Sequence, residues 1–146
     1  MSSADKLDSF LIKSGLPYEH IADGTWVLHP ESARNASLGV KIEDPIVLFS
    51  IQLFELGGSA GADHAAVFRV LLELNSELLH ASYSLQGSQL VLSGAQQLEN
   101  LDFNEFQAMV DDMCMALDNH YAKIAPMVVS NQSTATGGQT RTERKA

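Results

Sequence analysis

The stretch that decides the fold is residues 46–56, IVLFSIQLFEL, which has the pattern of a long β-strand. Successive side chains of a strand point to opposite faces, so one face would carry Val47, Phe49, Ile51 and Leu53, all apolar. The other face is mixed, and a simple two-layer sheet would leave it solvated. We therefore expect further cover over its apolar members. These are Ile46, Leu48, Phe54 and Leu56.

Two hairpins accompany this strand in the sequence. Asp23-Gly24 separates apolar runs at 18–22 and 25–29, and Asp-Gly is a strong signal for a two-residue turn, because both turn positions need positive φ. Residues 86–88, QGS, would form the second hairpin turn. The remaining strand patterns lie at 38–42, 81–85 and 89–95.

Amphipathic helices are expected near both ends of the chain. The first would span residues 3–14 with Ser3 as its N-cap. In the last helix, Asp102 and Glu105 have the spacing of a capping box, with Asp in place of the usual Ser or Thr. Apolar residues then recur at steps of three and four until Pro126, which would end the helix. They are Phe106, Val110, Met113, Leu117, Tyr121 and Ile124.

A middle helix is expected from Asp63, its N-cap, to about Leu78. Phe68 and Leu72 lie off its main apolar stripe, so more than one side of this helix requires burial. A surplus of apolar surface is typical of an interface between protein chains. We therefore expect a homodimer with this stripe in its interface. The stripe consists of Val67, Val70, Leu71, Leu74 and Leu78.

The element order is helix, three or four strands, helix, two strands, helix. Because hairpins join the strands, the sheet should be mainly antiparallel, which predicts the α+β class. We expect one domain over residues 1–129. Residues 130–146 are rich in Ser, Thr, Gly and Gln and contain no apolar residue beyond alanine, so they should form a disordered tail.

The charge distribution argues against nucleic-acid binding. The net charge is −9, and residues 130–146 carry +2, which leaves −11 on residues 1–129. Such a body would repel a phosphate backbone, because nucleic-acid affinity comes mainly from cations. Cys114 is the single cysteine, so neither an intrachain disulfide nor a multi-cysteine zinc site is possible.

The compartment is expected to be the cytoplasm. The N-terminal residues lack a basic start followed by an apolar run, so we expect no signal peptide. No stretch approaches the ~18 apolar residues needed to cross a bilayer, so we expect no membrane insertion either.

Motifs for catalysis are weak. Residues 57–61, GGSAG, match the G-x-S-x-G nucleophile elbow around Ser59. That elbow belongs to a parallel sheet with crossover helices, whereas hairpin patterns precede it here, so a plain loop is the preferred interpretation. An esterase-like enzyme using Ser59 stays as the alternative. The histidines show no metal-ligand spacing, and we expect no metal, cofactor or enzyme activity. They are His20, His29, His64, His80 and His120.

The chain resembles the class I type III secretion chaperones, the Tir-chaperone or CesT-like family, and the related YbjN-like family of bacterial regulators. The residues that carry the resemblance are 24–28 (GTWVL), 44–51 (DPIVLFSI), 71–75 (LLELN) and 90–93 (LVLS). It covers about residues 3–125. The resemblance implies a twisted antiparallel sheet flanked by helices, in the order α-β-β-β-α-β-β-α.

The resemblance also implies a function. Such a protein would be a homodimeric, non-catalytic chaperone or adaptor that binds an extended segment of a client protein. The alternative is a YbjN-like regulatory protein without a secretion client. Binding would use strand addition at a sheet edge or insertion of side chains into a groove. The residues expected to contact the client are Trp26, Leu28, Ile46, Leu48, Phe54 and Leu56. For Trp26, packing in the core is the other interpretation.

Overall fold

The computed structural model describes the backbone of residues 2–31, 36–57 and 64–137, and side chains as far as Val128. Its helices are α1 (Ser3–Ser14), α2 (Ala65–Asn75) and α3 (Phe103–Gly137). Its strands are β1 (Tyr18–Ala22), β2 (Thr25–Leu28), β3 (Leu38–Glu43), β4 (Ile46–Glu55), β5 (Ala81–Gln86) and β6 (Gln89–Gln97).

The six strands form one antiparallel sheet in the order β1-β2-β3-β4-β6-β5. This confirms the α+β class, with four strands between α1 and α2. Both predicted hairpins are present, and Gly24 and Gly87 have positive φ values of 69° and 64°. Asp23 does not have a positive φ, so the expectation of positive φ at both positions of the Asp23-Gly24 turn holds for Gly24 alone. The strands β1 and β5 are the two edges of the sheet.

The helices pack on one face of the sheet. Trp26, Val40 and Phe49 lie side by side across β2, β3 and β4, and all three are buried. The ring of Phe106 on α3 lies 5.7 Å from that of Phe49 and 5.5 Å from that of Phe10 on α1. The apolar stripe predicted for α3 therefore faces the sheet, as its periodicity indicated.

The opposite face of the sheet, called the open face below, has small side chains at its centre, whereas Val91 of β6 is fully buried on it. The row across its centre is Val27, Gly39, Ser50, Ser93 and Ser82. These residues border a shallow depression of about 530 Å³. The cover that we expected over this face is absent from the described residues, and Leu48 is 38% exposed on it.

A β-bulge in β4 changes which face its C-terminal half presents. The register with β6 shifts between Gln52 and Phe54, so the alternation of side chains restarts there. Phe54 consequently lies on the helix side, with its ring 5.5 Å from that of Tyr121. The prediction that Phe54 shares the open face with Leu48 is wrong for this reason.

The helix ends agree only in part with the sequence patterns. The capping box of α3 is confirmed, because the Asp102 amide donates to Glu105 Oε1 at 3.1 Å and the Glu105 amide donates to Asp102 Oδ1 at 2.8 Å. The N-cap of α1 is Ser2 and not Ser3, since Ser2 Oγ accepts from the Asp5 amide at 3.1 Å. The helix α2 begins at Ala65, and the expected cap Asp63 lies outside the described residues.

The expectation that Pro126 ends the last helix is wrong. The helix α3 continues through Pro126 to Gly137. Proline removes one helical hydrogen bond, whose acceptor would be the carbonyl of the exposed Ala122, where water can replace the donor. Beyond the proline, Val128 is fully buried, and this burial favours continued helix. Residues 130–137 are thus helical, while 138–146 lie outside the described residues and their disorder stays a prediction.

Candidate functional site

An apolar groove lies between α2 and the edge strand β5. Its volume is about 280 Å³. Three of its apolar side chains are well exposed, namely Phe68 at 36%, Leu72 at 71% and Leu85 at 45%. The full lining is Phe68, Leu71, Leu72, Asn75, Tyr83, Ser84, Leu85 and Leu90.

The groove forms where α2 packs against the edge strand β5 but leaves Leu85 of that strand partly uncovered. Tyr83 and Leu85 pair with Leu92 and Leu90 of β6, so they share the helix-covered face. Leu90 and Leu92 are fully buried, whereas Leu85 lies on the edge strand, where nearly half of it remains exposed. Apolar surface that the chain's own helices leave uncovered is a candidate contact for another polypeptide.

Asn75, the last residue of α2, fastens the helix to the edge strand. Its side-chain Nδ2 donates to the carbonyl oxygen of Tyr83 at 3.2 Å, and its Oδ1 accepts from the Tyr83 amide at 2.7 Å. The carboxamide therefore satisfies both backbone groups of one strand residue, as a neighbouring strand would. This contact fixes one wall of the groove relative to the other.

The hydroxyl group of Tyr83 makes a buried polar contact. The Tyr83 hydroxyl lies 2.8 Å from Nδ1 of His120, which is 5% exposed, and Nε2 of His120 lies 3.3 Å from Oε1 of Glu77. Because a carboxylate only accepts, Nε2 carries the proton, and in the neutral ring Nδ1 accepts from the hydroxyl. Burial, reinforced by the negative charge of Glu77, raises the pKa of Tyr83.

The residues predicted for the dimer interface are placed differently from the expectation. Val67, Leu71 and Leu74 are buried in the core of their own chain, so the main stripe of α2 faces inward. Val70 and Leu78 are half-buried, and Leu78 follows the end of the helix. Periodicity located the apolar side of α2 correctly, and within the chain this side packs on β5 and α3. Its part in a dimer interface stays a prediction.

The residues predicted for client contact are also mostly internal. Trp26 and Leu28 are buried on the helix-covered face, and Leu56 is buried at the end of β4, so these three are not available at the surface. This corrects the expectation for them. The ring of His20 covers Trp26, with a centroid distance of 5.4 Å. Phe54 packs on α3, as described above. Only Leu48 and the half-buried Ile46 remain accessible on the open face.

Sequence reasoning found the apolar wall of the groove but not its polar clamp. Phe68 and Leu72 were recognised as lying off the main stripe, and these are the two residues that α2 exposes in the groove. Leu85 lies in the strand pattern at 81–85, where Tyr83 and Leu85 alternate with Ser82 and Ser84 as in a half-buried strand. Asn75 carried no comparable signal, because an asparagine at the end of a helical pattern is an ordinary helix-ending residue.

The described residues show no cluster of side chains suited to a metal ion. They include no group of three or more His, Cys, Asp or Glu side chains placed to hold a metal ion. His80 and Asp112 form a pair at 3.3 Å near the surface. Ser59 lies outside the described residues. In the described part of the chain, no helix is both long enough and apolar enough to cross a membrane.

Comparison with known proteins identifies the family. The sequence pattern of the CesT_Tir_1 family matches residues 2–130. The chain belongs to the CesT_Tir_1 family. This confirms the resemblance found in the sequence. None of the curated proteins matches the chain at a significant level.

Solved structures share the CesT_Tir_1 fold of this chain. A chain of the heterodimeric ExoU–SpcU complex from the type III secretion system of Pseudomonas aeruginosa has 21% identity and a TM-score of 0.58, with 83% of this chain and 96% of that chain covered. YbjN from E. coli has 14% identity and a TM-score of 0.57, with 82% and 91% covered. A chain from the complex of the Yersinia pestis type III secretion chaperone SycH with a YscM2 fragment has 10% identity and a TM-score of 0.54, with 80% and 97% covered. At such identities the likeness establishes the fold.

Proposed function

We propose that this protein is a non-catalytic chaperone or adaptor that binds an extended segment of a partner protein. The observation that carries the proposal is the apolar groove between α2 and β5, with Phe68, Leu72 and Leu85 exposed around it. Family membership supports the same function, since two of the solved structures with this fold are complexes of a type III secretion protein with another polypeptide.

The size of the groove favours an extended client over a compact one. Covering the exposed parts of Phe68, Leu72 and Leu85 would contribute on the order of 3–5 kcal/mol before ordering costs. That corresponds to a dissociation constant of roughly 1 mM, which is too weak for a stable complex. A stable complex therefore needs further contacts elsewhere on the surface. An extended segment can reach them, and the exposed Leu48 and half-buried Ile46 of the open face are the predicted residues that remain available.

The experiment is a co-purification of the tagged full-length chain from its native cells. In Leu72→Glu, a charge enters the groove without disturbing the core, so the stoichiometric client should be lost while the fold is retained. The matched control is Met115→Glu, because Met115 is similarly exposed, at 61%, but lies on α3 and does not line the groove. Equal client recovery with both variants would place the binding surface elsewhere.

Dimerisation is a separate part of the proposal and competes for the same surface. A second copy would cover the exposed residues Phe68 and Leu72 of α2, together with the half-buried Val70 and Leu78. Light scattering on the purified chain should then give twice the monomer mass, and Leu72→Glu should give the monomer mass. If Leu72→Glu leaves a dimer intact but removes the client, the groove binds the client alone.

A regulatory protein of the YbjN type is the second candidate function, because YbjN has this fold with nearly the same coverage. The co-purification separates the two candidates. A stable, stoichiometric protein client supports the chaperone, whereas altered gene expression on deletion, without any client, supports the regulator. In either case we propose that the protein works in the cytoplasm.

The non-catalytic assignment has its own test. If residues 57–61 form a plain loop, Ser59→Ala should leave client binding unchanged, and neither form should hydrolyse small ester substrates. Ester hydrolysis by the wild type that Ser59→Ala abolishes would establish the esterase alternative.

A further inference from the structure

Among the strands that the structure describes, β5 pairs with β6 alone, so one side of its backbone takes no part in the sheet. In an antiparallel pair, the backbone N–H and C=O groups of successive residues alternate: those of one residue bond to the neighbouring strand, and those of the next point away from it. Gln86 and Gln89 close the two-residue turn as a hydrogen-bonded pair, so the outward residues of β5 are Leu85, Tyr83 and Ala81. These are the positions where an incoming strand would have to pair.

Asn75 already occupies the central one of these positions. Its carboxamide donates to the Tyr83 carbonyl and accepts from the Tyr83 amide, at 3.2 and 2.7 Å. An added strand makes these same two hydrogen bonds, so the strand and Asn75 exclude each other. The backbone that carries Asn75 is held in place, because the preceding residue Leu74 is 3% exposed and anchors the end of α2 in the core.

We infer that Asn75 closes the β5 edge to strand addition and reserves this edge for partners that bind through side chains in the groove. The part that concerns partners rests on the proposed function. The closed edge itself does not require a partner to be present. Exposed edge strands pair with other chains unless something blocks them. Asn75 should thus also prevent two copies of the protein from joining edge to edge at β5.

The test uses the isolated full-length chain, so that its outcome does not depend on whether a client exists. Hydrogen exchange measured by NMR should show that the Tyr83 amide of the wild type exchanges about tenfold more slowly than the outward amide of Leu85. In Asn75→Ala, the Tyr83 amide should exchange at the rate of Leu85. Analytical ultracentrifugation of Asn75→Ala should show assemblies larger than those of the wild type, growing with concentration.

Ser76→Ala is the matched control. It removes a hydrogen bond at the same end of α2, from Ser76 Oγ to the Glu73 carbonyl at 2.6 Å, and this bond does not involve β5. It should leave both the Tyr83 exchange rate and the assembly state as in the wild type. If Asn75→Ala does not fold, Asn75→Ser keeps a polar group that is too short to reach Tyr83, and the same results are expected.

Two results would overturn the inference. One is rapid exchange of the Tyr83 amide in the wild type, which would mean that Asn75 does not cap it. The other is a variant that frees the Tyr83 amide yet forms no larger assemblies, which would reduce Asn75 to a purely structural contact.

Discussion

Leu72 and Leu74 stand two positions apart on α2 and have opposite environments, with Leu72 71% and Leu74 3% exposed. We expect Leu74→Ala to lower the free energy of unfolding by about 2–5 kcal/mol, because it leaves a cavity in the core. Leu72→Ala should change it by less than about 0.5 kcal/mol. Urea denaturation followed by circular dichroism measures both. A small loss for Leu74→Ala would mean that its side chain faces a partner and not the core.

Tyr83 provides a prediction about pH. Its pKa is raised in the folded protein by burial and by the charge of Glu77, whereas in the unfolded chain it is about 10. Above that pH the unfolded chain loses the proton and the folded chain keeps it. The free energy of unfolding should therefore fall by up to about 1.4 kcal/mol per pH unit from this group alone.

Tyr83→Phe removes the ionisable group and should show a shallower loss of stability above pH 10 than the wild type. The measurement is the free energy of unfolding from urea titrations across this pH range. Identical slopes for the two proteins would contradict the burial of a protonated Tyr83 in the folded state.

At this scale the sequence predicted which residues are apolar and grouped, but not what they contact. Periodicity placed Val67, Leu71 and Leu74 on one side of a helix without showing whether that side meets the same chain or another one. Trp26 was likewise open to a core or a surface role, and burial between the sheet and the helices decided it.

Among the elements, α3 shows how packing can override a local stop signal. Val128 lies beyond Pro126 and is fully buried. We expect Val128→Ala to lower the free energy of unfolding by roughly 1–3 kcal/mol, because a buried valine contributes about that much. Thermal or urea denaturation measures the change. No loss of stability would mean that the helix does not dock on the core beyond Pro126, which would agree with the sequence pattern and contradict the structure.

The predictable elements are those whose signals are local. The Asp23-Gly24 turn and the Asp102–Glu105 capping box were both read correctly, because each depends on neighbouring residues. The bulge between Gln52 and Phe54 could not be read, since neither glycine nor proline marks it and it arises from pairing with β6, which is distant in sequence. One extra residue in the strand was enough to move Phe54 from the open face to the helix side.

The whole molecule is a two-layer arrangement with helices on one face of the sheet, and its class followed from the order of the patterns. The groove could not be located from that order, because it depends on how far α2 extends over the edge strand β5. Its existence explains in physical terms why a chain with a complete core still displays Phe68, Leu72 and Leu85. We attribute this surplus to partner binding.

The most direct test is photo-cross-linking in the native cells, with a photo-reactive phenylalanine derivative placed at position 72 of the full-length chain and, as a control, at position 115. We expect a discrete cross-linked polypeptide from position 72, either a client or a second copy, and none from position 115. Absence of any adduct from position 72, with an adduct from position 115, would contradict the groove as the binding surface.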